Sequence, residues 1–115
     1  MPTRSLPFVG FSDRASHATR NLASAAWAIY SPTGELVSLQ GICIGRATNN
    51  VAEYSALVEL LSESISLRVR DLVVCLDSQL VVSQLNGHYS VRSPALLRLF
   101  LRVRLLERQF DYNEY

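Results

Sequence analysis

The sequence predicts an α/β fold, a mixed sheet of three antiparallel strands joined by a parallel one, with helices on its faces. Three observations lead there. Residues 5–46 hold three apolar or alternating runs joined by short turn-rich stretches, the pattern of strands in a meander. Residues 49–67 then switch to apolar positions at helical spacing,. The run that follows, "DLVVCLD" (71–77), is almost continuously apolar, as in a strand buried by helices on both faces.

Taken in order, "SLPFVGFSD" (5–13) is a first strand, with Pro7 at its start and Asp13 at its end,. "RASHATRN" (14–21) is polar and turn-like, and "LASAAWAIYSP" (22–32) is a second strand. "SPTGE" (31–35) supplies the proline and glycine of a hairpin turn, and "ELVSLQGICIGR" (35–46) is a third strand,. Asn50 is a plausible N-cap for the helix 49–67,. After the strand 71–77, "SQLVVSQLNG" (78–87) is a short helix stopped by Asn-Gly. "SPALLRLFLRVRLLERQF" (93–110) is the strongest helix, with Ser93 as N-cap and Pro94 in the first helical position, where its missing N–H costs nothing,. Leu96, Leu99, Phe100, Val103, Leu106 and Phe110 form its apolar stripe, while Leu97, Leu101 and Leu105 form a second stripe without an evident partner. "DYNEY" (111–115) begins another strand. Crossover geometry places the strand 71–77 parallel to a neighbour, and the first strand is the best candidate.

At 115 residues a single domain is expected over 1–115, with residues 1–6 flexible,. Apolar residues make up 49% of the chain, which argues against disorder,. The net charge is +1, so no global field points to a nucleic-acid partner. The distribution says more. All eleven basic residues are arginine, and from His88 to Arg108 five of them (Arg92, Arg98, Arg102, Arg104 and Arg108) stand against one acid, Glu107. Such a cluster makes either a local basic surface or a solvated helix face. Cys43 and Cys75 sit in apolar runs outside any metal-binding spacing, and read as free buried thiols,. No signal peptide is evident, and no run reaches the ~18 apolar residues of a membrane span. An intracellular protein, cytoplasmic or nuclear and not secreted, is expected.

Three carboxylates then stand out. Asp13 and Asp77 end two strands expected to be parallel neighbours, and ligands gather at such strand ends,. Glu53 lies early in the crossover helix, on the same face as Ala56, Leu57 and Leu60. Each has an ordinary explanation: a capping box between Glu53 and Asn50, a helix cap for Asp77, a turn for Asp13. Together, three carboxylates at one edge would repel unless a cation neutralised them, and an all-oxygen set suits Mg²⁺ or Mn²⁺.

The sequence at this point resembles ribonuclease H, the type that cuts the RNA strand of RNA/DNA hybrids. "GRATNNVAEYSAL" (45–57) resembles the family's G-R-x-T-N-x-x-A-E helix opening, and "LDSQLVVSQLNG" (76–87) its D-S-x-x-V segment ending in glycine. "FVGFSDRAS" (8–16) resembles the first strand with its D-G-A-S end. "GHYSVRSPALLRL" (87–99) is similar to the stretch after the second helix in compact forms lacking a basic protrusion. The resemblance runs from residue 8 onward and implies a ribonuclease-H-like mixed sheet. It implies that Asp13, Glu53 and Asp77 are three of four metal-binding catalytic carboxylates. It implies that Asn49 and Asn50 contact the hybrid's minor groove, where 2′-hydroxyls mark RNA, and that Arg46 and Thr48 hold a DNA phosphate. Tyr89 matches more loosely an aromatic that packs on DNA sugars, and Arg92 joins the nucleic-acid-binding set. The implied chemistry is hydrolysis with two Mg²⁺ or Mn²⁺ ions about 3.5–4 Å apart, one activating water and one stabilising the leaving 3′-oxygen.

Two departures matter. Arg14 stands where the family has glycine, and could block a close approach or pair with Asp13,. The chain ends at Tyr115, where the fifth strand would be starting, so that strand and the last helix are expected to be truncated and the fourth carboxylate missing. An open sheet edge and the spare leucine stripe would then offer a homodimer surface. These departures keep a second reading open, a degenerate domain that binds nucleic acid without cutting. They also fit a copy carried by a retroelement.

Overall fold

The computed structural model describes residues 6–17 and 22–115, and the side chains of all of these except 13–17 and 22. Its elements are β1 (Phe8–His17), β2 (Leu22–Tyr30), β3 (Leu36–Gly45), α1 (Asn49–Ser66), β4 (Asp71–Cys75), α2 (Gln79–Leu85), α3 (Pro94–Glu107) and β5 (Tyr112–Glu114). The five strands form one sheet in the order β3-β2-β1-β4-β5. β1, β2 and β3 are an antiparallel meander, while β4 is parallel to β1 and β5 parallel to β4. The parallel partner expected for the fourth strand is thus the one found.

Strand alternation sets the core. Gly10 and Ser12 of β1, Ala23, Ala25, Trp27 and Ile29 of β2, and Leu72 and Val74 of β4 are buried, and successive side chains of a strand point to opposite faces. α1 packs against β1, β2 and α3. That position between sheet and helix explains why Ala52, Tyr54, Ala56, Leu57, Val58, Leu60 and Leu61 are all buried, on more than one side of the helix. The two layers come close at Gly10, where a Cβ would lie 2.9 Å from Leu60 Cδ2.

Several sequence expectations need correction. β1 does not end at Asp13; its pairing with β2 continues to His17↔Leu22, so Asp13 is internal to the strand and 14–17 are strand rather than turn. Residues 1–5 and 18–21 lie outside the described residues. Thr48, not Asn50, caps α1, its hydroxyl accepting from the Val51 amide at 3.2 Å. Ser78 rather than Asp77 caps α2. β4 is not buried on both faces, since Leu72 and Val74 are buried, Asp71 and Val73 half-buried and Cys75 exposed. Both thiols are free but exposed. Cys43 stands on β3, an edge strand whose residues are mostly exposed, and Cys75 closes β4. The fifth strand, by contrast, begins where "DYNEY" was expected to begin one, as three residues paired with β4.

The helix expectations fare better. Ser93 caps α3 with Pro94 in the first turn. Its apolar stripe from Leu96 to Phe110 packs on the core, and Leu97, Leu101 and Leu105 are exposed at 40%, 56% and 61%. Asn86 caps α2 and Gly87 takes the positive φ of 82° that follows, a conformation that costs glycine little. Arg104 leaves the basic cluster. It donates to the Leu85 carbonyl, pairs with Glu107 at 3.0 Å and lies 4.7 Å from the Phe100 ring centroid. Among the described residues no helix is long and apolar enough to cross a membrane.

Candidate active site and nucleic-acid interface

The buried carboxylate of Glu53 is the centre of the candidate site. It is 1% exposed, and its Oε1 accepts from the Ser12 hydroxyl at 3.3 Å. With Thr48 as N-cap, Glu53 lies beyond the first turn of α1, so it closes no capping box,. Its place follows from the packing. The close approach of α1 and β1 at Gly10 and Leu60 continues two residues along the strand to Ser12, which meets the helix about two turns earlier in its course, at Glu53,. Ser12 was not picked out by sequence reasoning. The only trace there is a small polar residue at the helix-facing parity of β1, immediately before Asp13.

Register brings the aspartates to the same level. The last parallel pair between β1 and β4 is Phe11↔Cys75. Asp13 and Asp77 each lie two residues beyond it, Asp13 still within β1 and Asp77 exposed in the connection to α2. The side chain of Asp13 is outside the described residues, as is that of Arg14. Among the described residues no three His, Cys, Asp or Glu side chains gather as a metal-binding group.

The expected nucleic-acid residues fall in two places. Arg46, Thr48, Asn49 and Asn50 surround the N-terminus of α1, with Arg46, Thr48 and Asn49 exposed and Asn50 half-buried. The Thr48 hydroxyl already serves the cap. First-turn amides and the helix dipole make that end favourable to an anion. Tyr89, 64% exposed, and exposed Arg92 lie in the connection between α2 and α3. That connection is held to α2 by backbone bonds, His88 N to Ser83 O at 2.7 Å and Tyr89 N to Ser83 O at 3.3 Å.

Behind it lies a polar network that sequence reasoning also missed. The Tyr54 hydroxyl donates to Gln84 Oε1 at 2.8 Å, and burial lifts the Tyr54 phenol to about 12, with Arg104 pulling it the other way. The Tyr115 hydroxyl donates to Glu107 Oε2 at 2.6 Å, and burial together with that bond raises its pKa.

Comparison with known proteins agrees with this architecture. A family model described as "Reverse transcriptase-like" matches residues 11–114. Ribonuclease HI of Halobacterium salinarum is 39% identical over 101 residues, 88% of this chain and 51% of that protein. The crystal structure of RNase H1 from that archaeon superposes with a TM-score of 0.87 at 36% identity, over 94% of this chain and 82% of that one. The N-terminal RNase H domain of Rv2228c from Mycobacterium tuberculosis gives a TM-score of 0.89 at 32% identity, covering 96% and 81%. LC11-RNase H1, solved in complex with an RNA/DNA hybrid, gives 0.84 at 25% identity, covering 93% and 80%. The chain spans about half the length of the Halobacterium enzyme and 20% of the bifunctional protein Rv2228c.

Proposed function

The chain belongs to the ribonuclease H family, and from that premise we propose that it hydrolyses the RNA strand of RNA/DNA hybrids endonucleolytically, with a divalent cation. The observation that carries the reading is Glu53. A carboxylate at 1% exposure is costly to bury unless hydrogen bonds and a positive charge offset the lost hydration, which a cation bound at this edge would do,. It is held by Ser12, the neighbour of Asp13 in β1.

The residues fit the cation. Asp13, Glu53 and Asp77 offer oxygen alone, from within β1, from α1 and from the connection after β4, the donor chemistry that Mg²⁺ and Mn²⁺ take,. These three would hold it, and when bound it would supply Lewis acidity toward a phosphoryl group and an activated water. The chain's own residues do the rest. Ser12 orients Glu53 through its hydroxyl. Arg46 offers a planar fork to a phosphate beside the helix end that Thr48 caps,. Asn49 and Asn50 face the minor groove, where 2′-hydroxyls tell RNA from DNA. Tyr89 and Arg92 meet the strand further along. The hybrid found with LC11-RNase H1 supports this choice of substrate. The site of action is intracellular, cytoplasmic or nuclear, and the exposed leucines of α3 give a second copy a surface to pair on.

Arg14 favours a second reading, a domain that binds hybrids without cutting. One experiment separates the two. A labelled RNA/DNA hybrid is incubated with the chain in Mg²⁺, in Mn²⁺ and in EDTA, beside Glu53→Gln. Cleavage of the RNA strand that needs metal and Glu53 is the expected result. A cooperatively folded chain that binds the hybrid and leaves it whole supports the second reading instead.

A further inference from the structure

We propose that Gln84 is a positioning residue, whose buried amide ties α1 to the 86–92 segment and so sets where Tyr89 and Arg92 meet a nucleic acid. This rests on the ribonuclease H reading of those two residues. Gln84 stands in the last turn of α2 and is 6% exposed. Both ends of its amide are engaged. Oε1 accepts from the Tyr54 hydroxyl at 2.8 Å, and Nε2 donates to the Ser90 carbonyl at 3.4 Å.

The orientation of the amide is determined by its partners. A backbone carbonyl only accepts, so the NH₂ end must face Ser90. The oxygen then faces Tyr54, whose hydroxyl must donate. Tyr54 is fully buried and immediately follows Glu53 in α1. The backbone bonds of Gly87, His88 and Tyr89 to Gln84 and Ser83 close only the first half of the segment onto α2. Gln84 reaches the second half, at Ser90, between Tyr89 and Arg92. One side chain thereby couples the helix that carries a catalytic carboxylate to the segment expected to grip the substrate.

Two readouts test this. Trypsin cuts after arginine, so the rate of cleavage after Arg92 in the folded chain, followed by mass spectrometry, reports the freedom of the segment without any substrate. Steady-state cleavage of an RNA/DNA hybrid gives KM and kcat. In Gln84→Met, which keeps the bulk and removes the amide, both the tryptic rate after Arg92 and KM should rise roughly 3- to 10-fold, the scale of one net hydrogen bond, with kcat little changed. Tyr54→Phe should shift both in the same direction by less, and adding it to Gln84→Met should add nothing. Should Gln84→Met fail to melt cooperatively, Tyr54→Phe decides alone. Unchanged tryptic rate and KM in a folded variant would overturn the proposal. So would a fall in kcat at constant KM, which would assign Gln84 to Glu53 rather than to the segment. A wild-type chain that neither binds nor cuts hybrids would strike the ribonuclease H reading instead, and the tryptic rate alone would then decide whether Gln84 holds the segment.

Discussion

Replacing Gly10 by alanine tests whether the spacing of sheet and helix governs the site. The added Cβ would lie 2.9 Å from Leu60 Cδ2, 3.1 Å from Cδ1 and 3.4 Å from Cγ. Leu60 is fully buried, so its side chain has little room to swing aside. Forcing an extra carbon into such a contact costs about 1–3 kcal/mol. Against that, alanine loses less chain entropy on folding than glycine, a gain of about 0.4–1 kcal/mol. The repulsion wins, and a net loss of about 1–2 kcal/mol is expected. For a domain near this size it corresponds to a melting midpoint lowered by roughly 4–8 °C.

The same substitution should reach the chemistry. Ser12 lies two residues along β1 from Gly10 on the same face, and its bond to Glu53 is already 3.3 Å. A helix displaced by a few tenths of an ångström stretches that bond past useful length, so hybrid cleavage well below the melt should fall roughly 3- to 10-fold, less than the hundredfold that a full ångström of misplacement can cost. Leu60→Val withdraws the clashing methyls, and should cost less in the alanine background than in wild type. Circular-dichroism melts and a cleavage assay on the four proteins of the cycle check both parts. A Gly10→Ala chain that melts at or above the wild-type midpoint would refute the argument.

Asp77→Asn should abolish metal-dependent cleavage and leave the melting midpoint within about 1 °C, because Asp77 is exposed and the cap of α2 is Ser78,; cleavage at the wild-type rate would remove Asp77 from the site. Arg14→Gly should raise the cleavage rate if the arginine competes with a cation at Asp13, read as a lower Mg²⁺ concentration at half-maximal rate. Stability should fall at alkaline pH. The Tyr54 phenol is raised by burial to about 12 and that of Tyr115 is raised by burial and by Glu107, whereas unfolded tyrosines ionise near ~10. The contribution of the neutral phenols is therefore whole below about pH 10 and drains as pH rises through about 12. Tyr115→Phe should flatten that decline in urea titrations at successive pH values. Leu101→Glu should abolish any concentration-dependent association seen by light scattering, since Leu101 is the middle residue of the exposed stripe.

The order of elements was legible because each carries its own period. The ends were not, and Thr48, Asn49 and Asn50 show why. All three are good capping residues in consecutive positions, and only the helix geometry selects Thr48,. Asp13 was read as a strand end because a carboxylate interrupts the apolar run, but pairing with β2 carries the strand to His17 regardless. The cysteines were read as buried from their apolar neighbours, yet Cys43 falls on the edge strand β3 and Cys75 at the end of β4 on the face opposite buried Leu72 and Val74, and topology and strand parity decide this rather than the local run. Ser12 and Gln84 were invisible for a related reason. Their partners Glu53 and Tyr54 lie 41 and 30 residues away in the chain, and a lone serine or glutamine carries no signal of what it will meet.

The aspartates themselves do not determine how far apart they stand. They are level because Phe8 pairs with Leu72 and Phe11 with Cys75, and that register is set by what the sheet buries. Leu72 and Val74 turn toward the helices with Gly10, while Val73 and Cys75 turn away. A slip of one residue would exchange those sets, putting Leu72 and Val74 on the outer face and Cys75 in the core. The hydrophobic loss would fall on two of the fully buried positions of the strand, so the slipped sheet is strongly disfavoured,. The alternation of β4 thus fixes the level of two backbone positions beyond its own end. A substitution at Val74, with no contact to any substrate, should accordingly disturb cleavage through the register it helps to hold.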